Sequence, residues 1–251
     1  MASARELAQL RDAQAEVVSM VQDLLDSMFW SMTMTDPARV RDALLEFVPL
    51  LVDQYGSMSA QIAAEWYDDV VGGSRAAVAA PAVYPVGVTD AKVRFFAGHL
   101  FGDTAAPDLA LAGISQALGK YVRQSGRNTI ISNAEAFGQR WARVPKGAKT
   151  CAFCLMLASR SMGWLYESAQ SAGDKRQGGE EYHGDCNCEA VVVNTIGDYP
   201  EGSIDPQGAY SMYREAWKAA GGSGSSGSEV TYQMRRLFPD LLTDGVIEHI
   251  H

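Results

Sequence analysis

The chain has 251 residues, 47% of them hydrophobic and 20% charged, and carries a formal net charge of −9. That composition fits a globular protein of one large or two smaller domains that folds without a disulfide staple. The acidic balance argues against broad contact with a phosphate backbone, which needs Lys and Arg to displace counterions, so nucleic-acid contact is expected to be incidental at most.

The opening stretch, MASARELAQLRDAQAEVV, is polar and amphipathic rather than a signal sequence. No apolar run reaches the roughly 18 residues of a spanning helix. The chain is therefore expected to be made and kept in a cytoplasm, with no membrane partner. Leu7, Leu10, Val17, Val21, Leu24 and Met28 recur at helical spacings and draw one apolar stripe. TDPARV then starts a second helix: Thr35 or Asp36 can cap it, and Pro37 sits where its missing N–H costs nothing. Leu44, Val48, Leu51, Val52 and Tyr55 continue this helix, which Pro49 is expected to kink or end. Beyond Gly56, Met58, Ile62, Trp66 and Val70 form a further stripe that Gly72 and Gly73 stop.

Residues 72–90 read as an extended connector, followed by a short helix over about 89–100. His99 is read as a packed histidine, and Trp30, Trp66, Trp164 and Trp217 as core residues of helices. A long helix is predicted from about Pro107 to Trp141, with Leu111, Ile114, Leu118, Tyr121 and Val122 inward and an interruption at Gly126. Arg143, Lys146 and Lys149 make a small basic cluster, read as a solvated loop. CEAVVVN is the best strand in the chain, being short and β-branched. DPQGAYSMYREAWKAAG and EVTYQMRRLFPDLL read as helices on either side of GGSGSSGS, residues 221–228, a flexible linker by composition. The expected fold is mainly α. A helical N-terminal unit spans 1–104, a small α+β module spans 105–200, and C-terminal helices span 201–251.

All four cysteines lie in CAFC, residues 151–154, and EYHGDCNC, residues 181–188, together with one of the four histidines. Three readings compete. The first is a metal site: Cys151 and Cys154 form one half, and His183 and Cys186 repeat the same two-residue gap. Zinc takes four N or S ligands, which two such half-sites supply. Cys188 is a fifth candidate able to replace Cys186, because residues two apart in a strand face the same way. The second reading is a disulfide joining the two pieces. The third is a thiol nucleophile, which needs a low-pKa Cys beside a His and an orienting third group. The matched spacings, with every cysteine of a chain from a reducing compartment in use, favour the metal reading. A closed four-ligand site is structural, and Glu180, Glu181, Asp185 and Glu189 are read as solvated charges flanking it.

WARVPKGAKTCAFCLMLASRSMGWLY followed by YHGDCNCEAVVV resembles the C-terminal module of phage head-morphogenesis proteins of the Mu F type, above all the minor capsid proteins of actinobacteriophages. The resemblance covers roughly residues 105–195. HGDCNC departs from the family's commoner His-Pro-Asn-Cys-Arg-Cys form. The resemblance implies a helix-flanked Cys-x-x-Cys, then His-x-x-Cys-x-Cys and a short strand, here Cys151, Cys154, His183, Cys186 and Cys188. It further implies a minor protein inside the virion head near the portal, partnered by the portal protein and the major capsid or scaffold protein, in an arrangement around the portal whose copy number is open. Members are often labelled capsid maturation proteases. The residues assign no nucleophile, base and orienter, so the leading expectation is a non-enzymatic assembly protein carrying structural zinc, with the protease as the alternative.

Overall fold

The computed structural model describes residues 2–73, 75–82, 84, 87–145, 149–159, 188–201 and 205–245. The described elements are α1 (Ala4–Ser31), α2 (Pro37–Val70), α3 (Val88–Ala97), α4 (Pro107–Ala136), β1 (Trp141–Val144), α5 (Ala152–Ser159), β2 (Glu189–Val192), α6 (Pro206–Ala219) and α7 (Gly227–Leu237). The chain is mainly α-helical, as expected. Among the described residues, no helix is long and apolar enough to cross a membrane. Two compact units emerge, one over Gln9–Ile130 and the other over the later chain with Met1–Ala8.

In the Gln9–Ile130 unit, one core gathers Val21, Leu25, Leu44, Leu51, Ile114 and Leu118 from α1, α2 and α4. The α1 stripe runs through Val18, Leu25 and Phe29, all buried, while Leu24 is 40% exposed. The stripe follows the 3.6-residue period, which turns Leu24 outward as it brings Leu25 in. Trp30 is 48% exposed, so it is not a core residue. His99, expected to be packed, lies exposed in a short 3-10 turn after α3.

Asp36 caps α2 through its side chain, which accepts the Arg39 N–H at 3.1 Å. The helix then runs unbroken past Pro49 to Val70. A mid-helix proline costs about 3 kcal/mol locally. Leu44, Val48, Leu51 and Val52 are buried on both sides of it. Each buried side chain of that size contributes about 1.5–3 kcal/mol, so packing wins over the proline.

The interruption expected at Gly126 is also absent, and α4 is continuous through it. A Cβ at Gly126 would strike the Gln14 side-chain amide and lie 2.8 Å from Ser59 Oγ. Glycine here permits close approach of three helices rather than a break. The connector after α2 is extended and laid along α4. Ala80 N–H donates to Thr129 Oγ1 at 3.0 Å, Asn128 Nδ2 donates to the Ala80 carbonyl at 2.8 Å, and Ala82 N–H donates to Ser125 Oγ at 3.2 Å. Side chains one helical turn apart thus satisfy backbone groups that have no strand partner.

In the other unit, β1 pairs antiparallel with β2, with Trp141 opposite Val192 and Val144 opposite Glu189. CEAVVVN is a strand as expected, but its partner is not the end of a long helix. Helix α4 stops at Ala136, and Trp141–Val144 is a buried strand. Arg143, expected in a solvated loop, is therefore only 1% exposed. Its carbonyl accepts the Tyr199 hydroxyl at 3.1 Å. Helices α5, α6 and α7 share a second core built on Leu155, Leu157, Ala216, Val230 and Met234. Asp205 caps α6, accepting the N–H groups of Gln207 and Gly208.

The Gly/Ser stretch between α6 and α7 is a structured turn rather than a flexible linker. Gly222 N–H donates to the Trp217 carbonyl at 2.8 Å, and Ser225 Oγ donates to the Ala220 carbonyl at 3.0 Å. Gly221, Gly222 and Gly224 all hold positive φ, a region closed to most side chains. Ser226 then opens α7 with a capping box closed by Glu229. The low-complexity composition encodes a tight reversal, not disorder.

Candidate metal centre

Cys151 is the residue before α5, and Cys154 lies in the first turn of that helix. The Cys154 N–H donates to Cys151 Sγ at 3.4 Å, and the Leu155 N–H donates to the Cys151 carbonyl at 3.0 Å. Cys151 therefore acts as an N-cap whose sulfur takes the place of the usual hydroxyl or carboxylate oxygen. Cys154 is buried and Cys151 half-buried.

The turn is fixed from outside by a segment distant in sequence. Thr150 forms a parallel bridge with Leu242, and the Thr243 N–H donates to the Thr150 carbonyl at 3.1 Å. One carboxylate oxygen of Asp244 accepts the Ala152 N–H at 2.8 Å, and the other accepts Arg235 Nε at 2.8 Å. Sequence reading missed both Asp244 and Arg235. The Ala152–Asp244 contact spans 92 positions, and no spacing rule reaches that far.

Cys188 is buried immediately before β2. Glu189, read as a solvated charge, is instead 4% exposed in the strand opposite Val144. His183 and Cys186, the second half of the expected ligand set, lie outside the described residues, as do Glu180, Glu181 and Asp185. Among the described residues, no disulfide joins Cys151, Cys154 and Cys188. Nor does any group of three or more His, Cys, Asp or Glu among the described residues form a ligand set. Cys151 and Cys154 would suit a soft or borderline cation. Two thiols stand one helical turn apart, with one sulfur oriented by a backbone N–H and their backbone held in place.

Comparison with known proteins places these features in a context. The VG15 protein family matches residues 1–216, a span that includes both cysteine pieces. The Gene 15 protein of Mycobacterium phage D29 is 29% identical over 144 residues, covering 46% of this chain and 51% of the phage protein. The Gene 15 protein of Mycobacterium phage L5 is 29% identical over 132 residues, covering 39% and 43%. The chain thus spans about half the length, or less, of these curated relatives. No solved structure matches it.

Proposed function

The chain belongs to the VG15 protein family and is a bacteriophage protein; from that premise we propose that it is a minor head protein, acting inside the capsid near the portal during virion assembly. The family match over residues 1–216, which runs from α1 through the cysteine turn and most of α6, supports a phage virion-associated role. The likeness of the cysteine-bearing stretch to phage Mu F-type head-morphogenesis proteins points the same way and supplies the partners: the portal protein and the major capsid or scaffold protein.

In this reading the cysteine turn is half of a structural zinc site. Cys151 and Cys154 would hold the ion together with His183 and Cys186, with Cys188 as the alternate fourth ligand. Bound zinc supplies cross-linking and no reaction, and structural sites of this kind contribute about 10–16 kcal/mol of binding free energy to folding. The chain's own contribution is to present two thiolates one helical turn apart on a braced backbone. The rival reading is a protease that processes head proteins.

One experiment separates the readings. Purified virions and DNA-free heads are digested and quantified for this chain by mass spectrometry. In parallel, the full chain is incubated with the phage's scaffold and major capsid proteins. The proposal expects a few copies per head and intact substrates. Absence from both particles contradicts the head assignment. Specific cleavage lost in Cys186→Ala or His183→Ala, with the fold retained, establishes the protease instead.

A further inference from the structure

We propose that Asp244, held by Arg235, is a positioning residue of the cysteine turn and sets how tightly that turn holds a thiophilic cation. The proposal rests on the zinc reading above and goes beyond it, since both residues lie outside residues 1–216 matched by the family.

A Cys-x-x-Cys half-site makes a demand on its backbone. Both sulfurs must be presented together before the ion arrives, otherwise binding must also order the backbone. Cys151 lies outside α5, so the helix ladder does not fix it from its N-terminal side. The first N–H groups of any helix have no partner within it. Here the Ala152 N–H donates to Asp244 Oδ1 at 2.8 Å, and the Cys154 N–H donates to Cys151 Sγ at 3.4 Å. The carboxylate thus secures the peptide unit joining Cys151 to the helix. Thr150, on the other side of Cys151, is secured by the Thr243 N–H at 3.1 Å. Cys151 is clamped before and after by two consecutive residues of one distant segment.

Asp244 is itself oriented. Arg235 Nε donates to its second carboxylate oxygen at 2.8 Å, and both side chains are about one-third exposed. An exposed Asp–Arg pair contributes little stability by itself. Its value here is directional: with one oxygen committed to Arg235, the other points at the Ala152 N–H. Arg235 lies in the last turn of α7, so that helix and the cysteine turn are coupled through one carboxylate. Groups bonded directly to a metal ligand commonly change affinity by about 10–100-fold when removed, and Asp244 acts one peptide unit away, so a smaller effect is expected.

The test uses the full chain and two readouts. Cobalt(II) is titrated into metal-free protein while the thiolate-to-cobalt absorption is followed, and zinc is then added in competition. Asp244→Ala is expected to raise the Kd for cobalt by up to about fivefold, the ceiling set by one lost helix cap. Arg235→Ala is expected to raise it less, and Asp244→Asn, which keeps the acceptor for Ala152, least. The second readout is the alkylation rate of Cys151 in the metal-free protein, mapped by peptide mass spectrometry. It should rise about fivefold in Asp244→Ala, the local-opening equivalent of one lost helix cap. An Asp244→Ala protein that matches wild type in both readouts overturns the proposal. If Asp244→Ala does not fold, Arg235→Ala and Asp244→Asn decide: both readouts unchanged from wild type overturn it. A wild-type chain that gives no cobalt–thiolate band removes the zinc reading, and the alkylation rates then still judge the brace.

Discussion

In the Gln9–Ile130 unit, Val21, Leu25, Leu44, Leu51, Ile114 and Leu118 are each no more than 2% exposed and belong to one core drawn from long helices. Among the described residues, the later unit has helices α5, α6 and α7 of 8, 14 and 11 residues, and their shared core combines Ala152, Ala209 and Ala216 with Leu155, Met156, Leu157, Val230, Met234 and Leu242. Area decides what each can rely on. A buried leucine contributes about 1.5–3 kcal/mol and a buried alanine well under half of that. Both units add polar devices with specified partners to their apolar burial. The first has the Asp36 cap and the bonds of Ala80 and Ala82 to Thr129 and Ser125; the second has the Asp205 cap, the Ser226–Glu229 box, the Asp244 clamp and the cysteine turn itself. In the zinc reading, a metal cross-link would add to the burial that these shorter helices supply.

The sharpest way to break this comparison is to open the first core. Leu44→Ala removes a side chain with no exposed surface and should destabilise that unit by about 2–5 kcal/mol in chemical denaturation. Alkylation of Cys151 should not change. A parallel rise in Cys151 reactivity would show that the units do not rest on separate cores.

Gly126→Ala comes next. Helix propensity favours alanine by about 1 kcal/mol. The new methyl meets the Gln14 amide and Ser59 Oγ, both buried, and overpacking of this kind costs about 1–3 kcal/mol. A net loss of up to about 2 kcal/mol is expected by equilibrium denaturation. A stabilised variant would mean that the three helices do not close on this glycine.

For the second unit, Ser226→Ala removes the capping box of α7 and should cost about 1 kcal/mol, read as a lowered melting temperature. No change would restore the flexible-linker reading of residues 221–228.

Two effects appear only at the extremes of pH. Burial, with Asp68 adding to it, pushes the Tyr67 hydroxyl up to about 12 from an ordinary 10. The stability tied to its neutral form is complete below pH 10 and is lost as pH climbs from 10 toward 12. Tyrosinate absorbance should therefore lag behind that of the unfolded chain. In both capping boxes the backbone N–H of Ser3 or Ser226, helped by the same serine's hydroxyl, holds the carboxyl of Glu6 or Glu229 below the ordinary 4.5. Their contribution is present above pH 4.5 and fades as pH falls through the lowered values. Acid melting curves of Ser226→Ala should show a shallower slope there than wild type.

The helical half was readable because its periodicity is long and regular, and Leu44, Val48 and Leu51 each fell where the spacing put them. Packing outranked local preference at Gly126, where α4 runs on unbroken, and at Pro49, which does not end α2. β1 was hidden because four residues carry little signal and its partner lies far along the chain. At the cysteine turn, the pairing of Cys151 with Cys154 was legible from spacing. The Asp244–Arg235 brace was not, because two polar residues in a C-terminal stretch look like ordinary surface until the chain folds back.

The most direct measurement is the mass of the intact, natively purified chain by native mass spectrometry, followed by circular dichroism after chelation. The account predicts one zinc ion per chain and a loss of structure on its removal that zinc restores. A chain that carries no metal and keeps its full structure in chelator would contradict it.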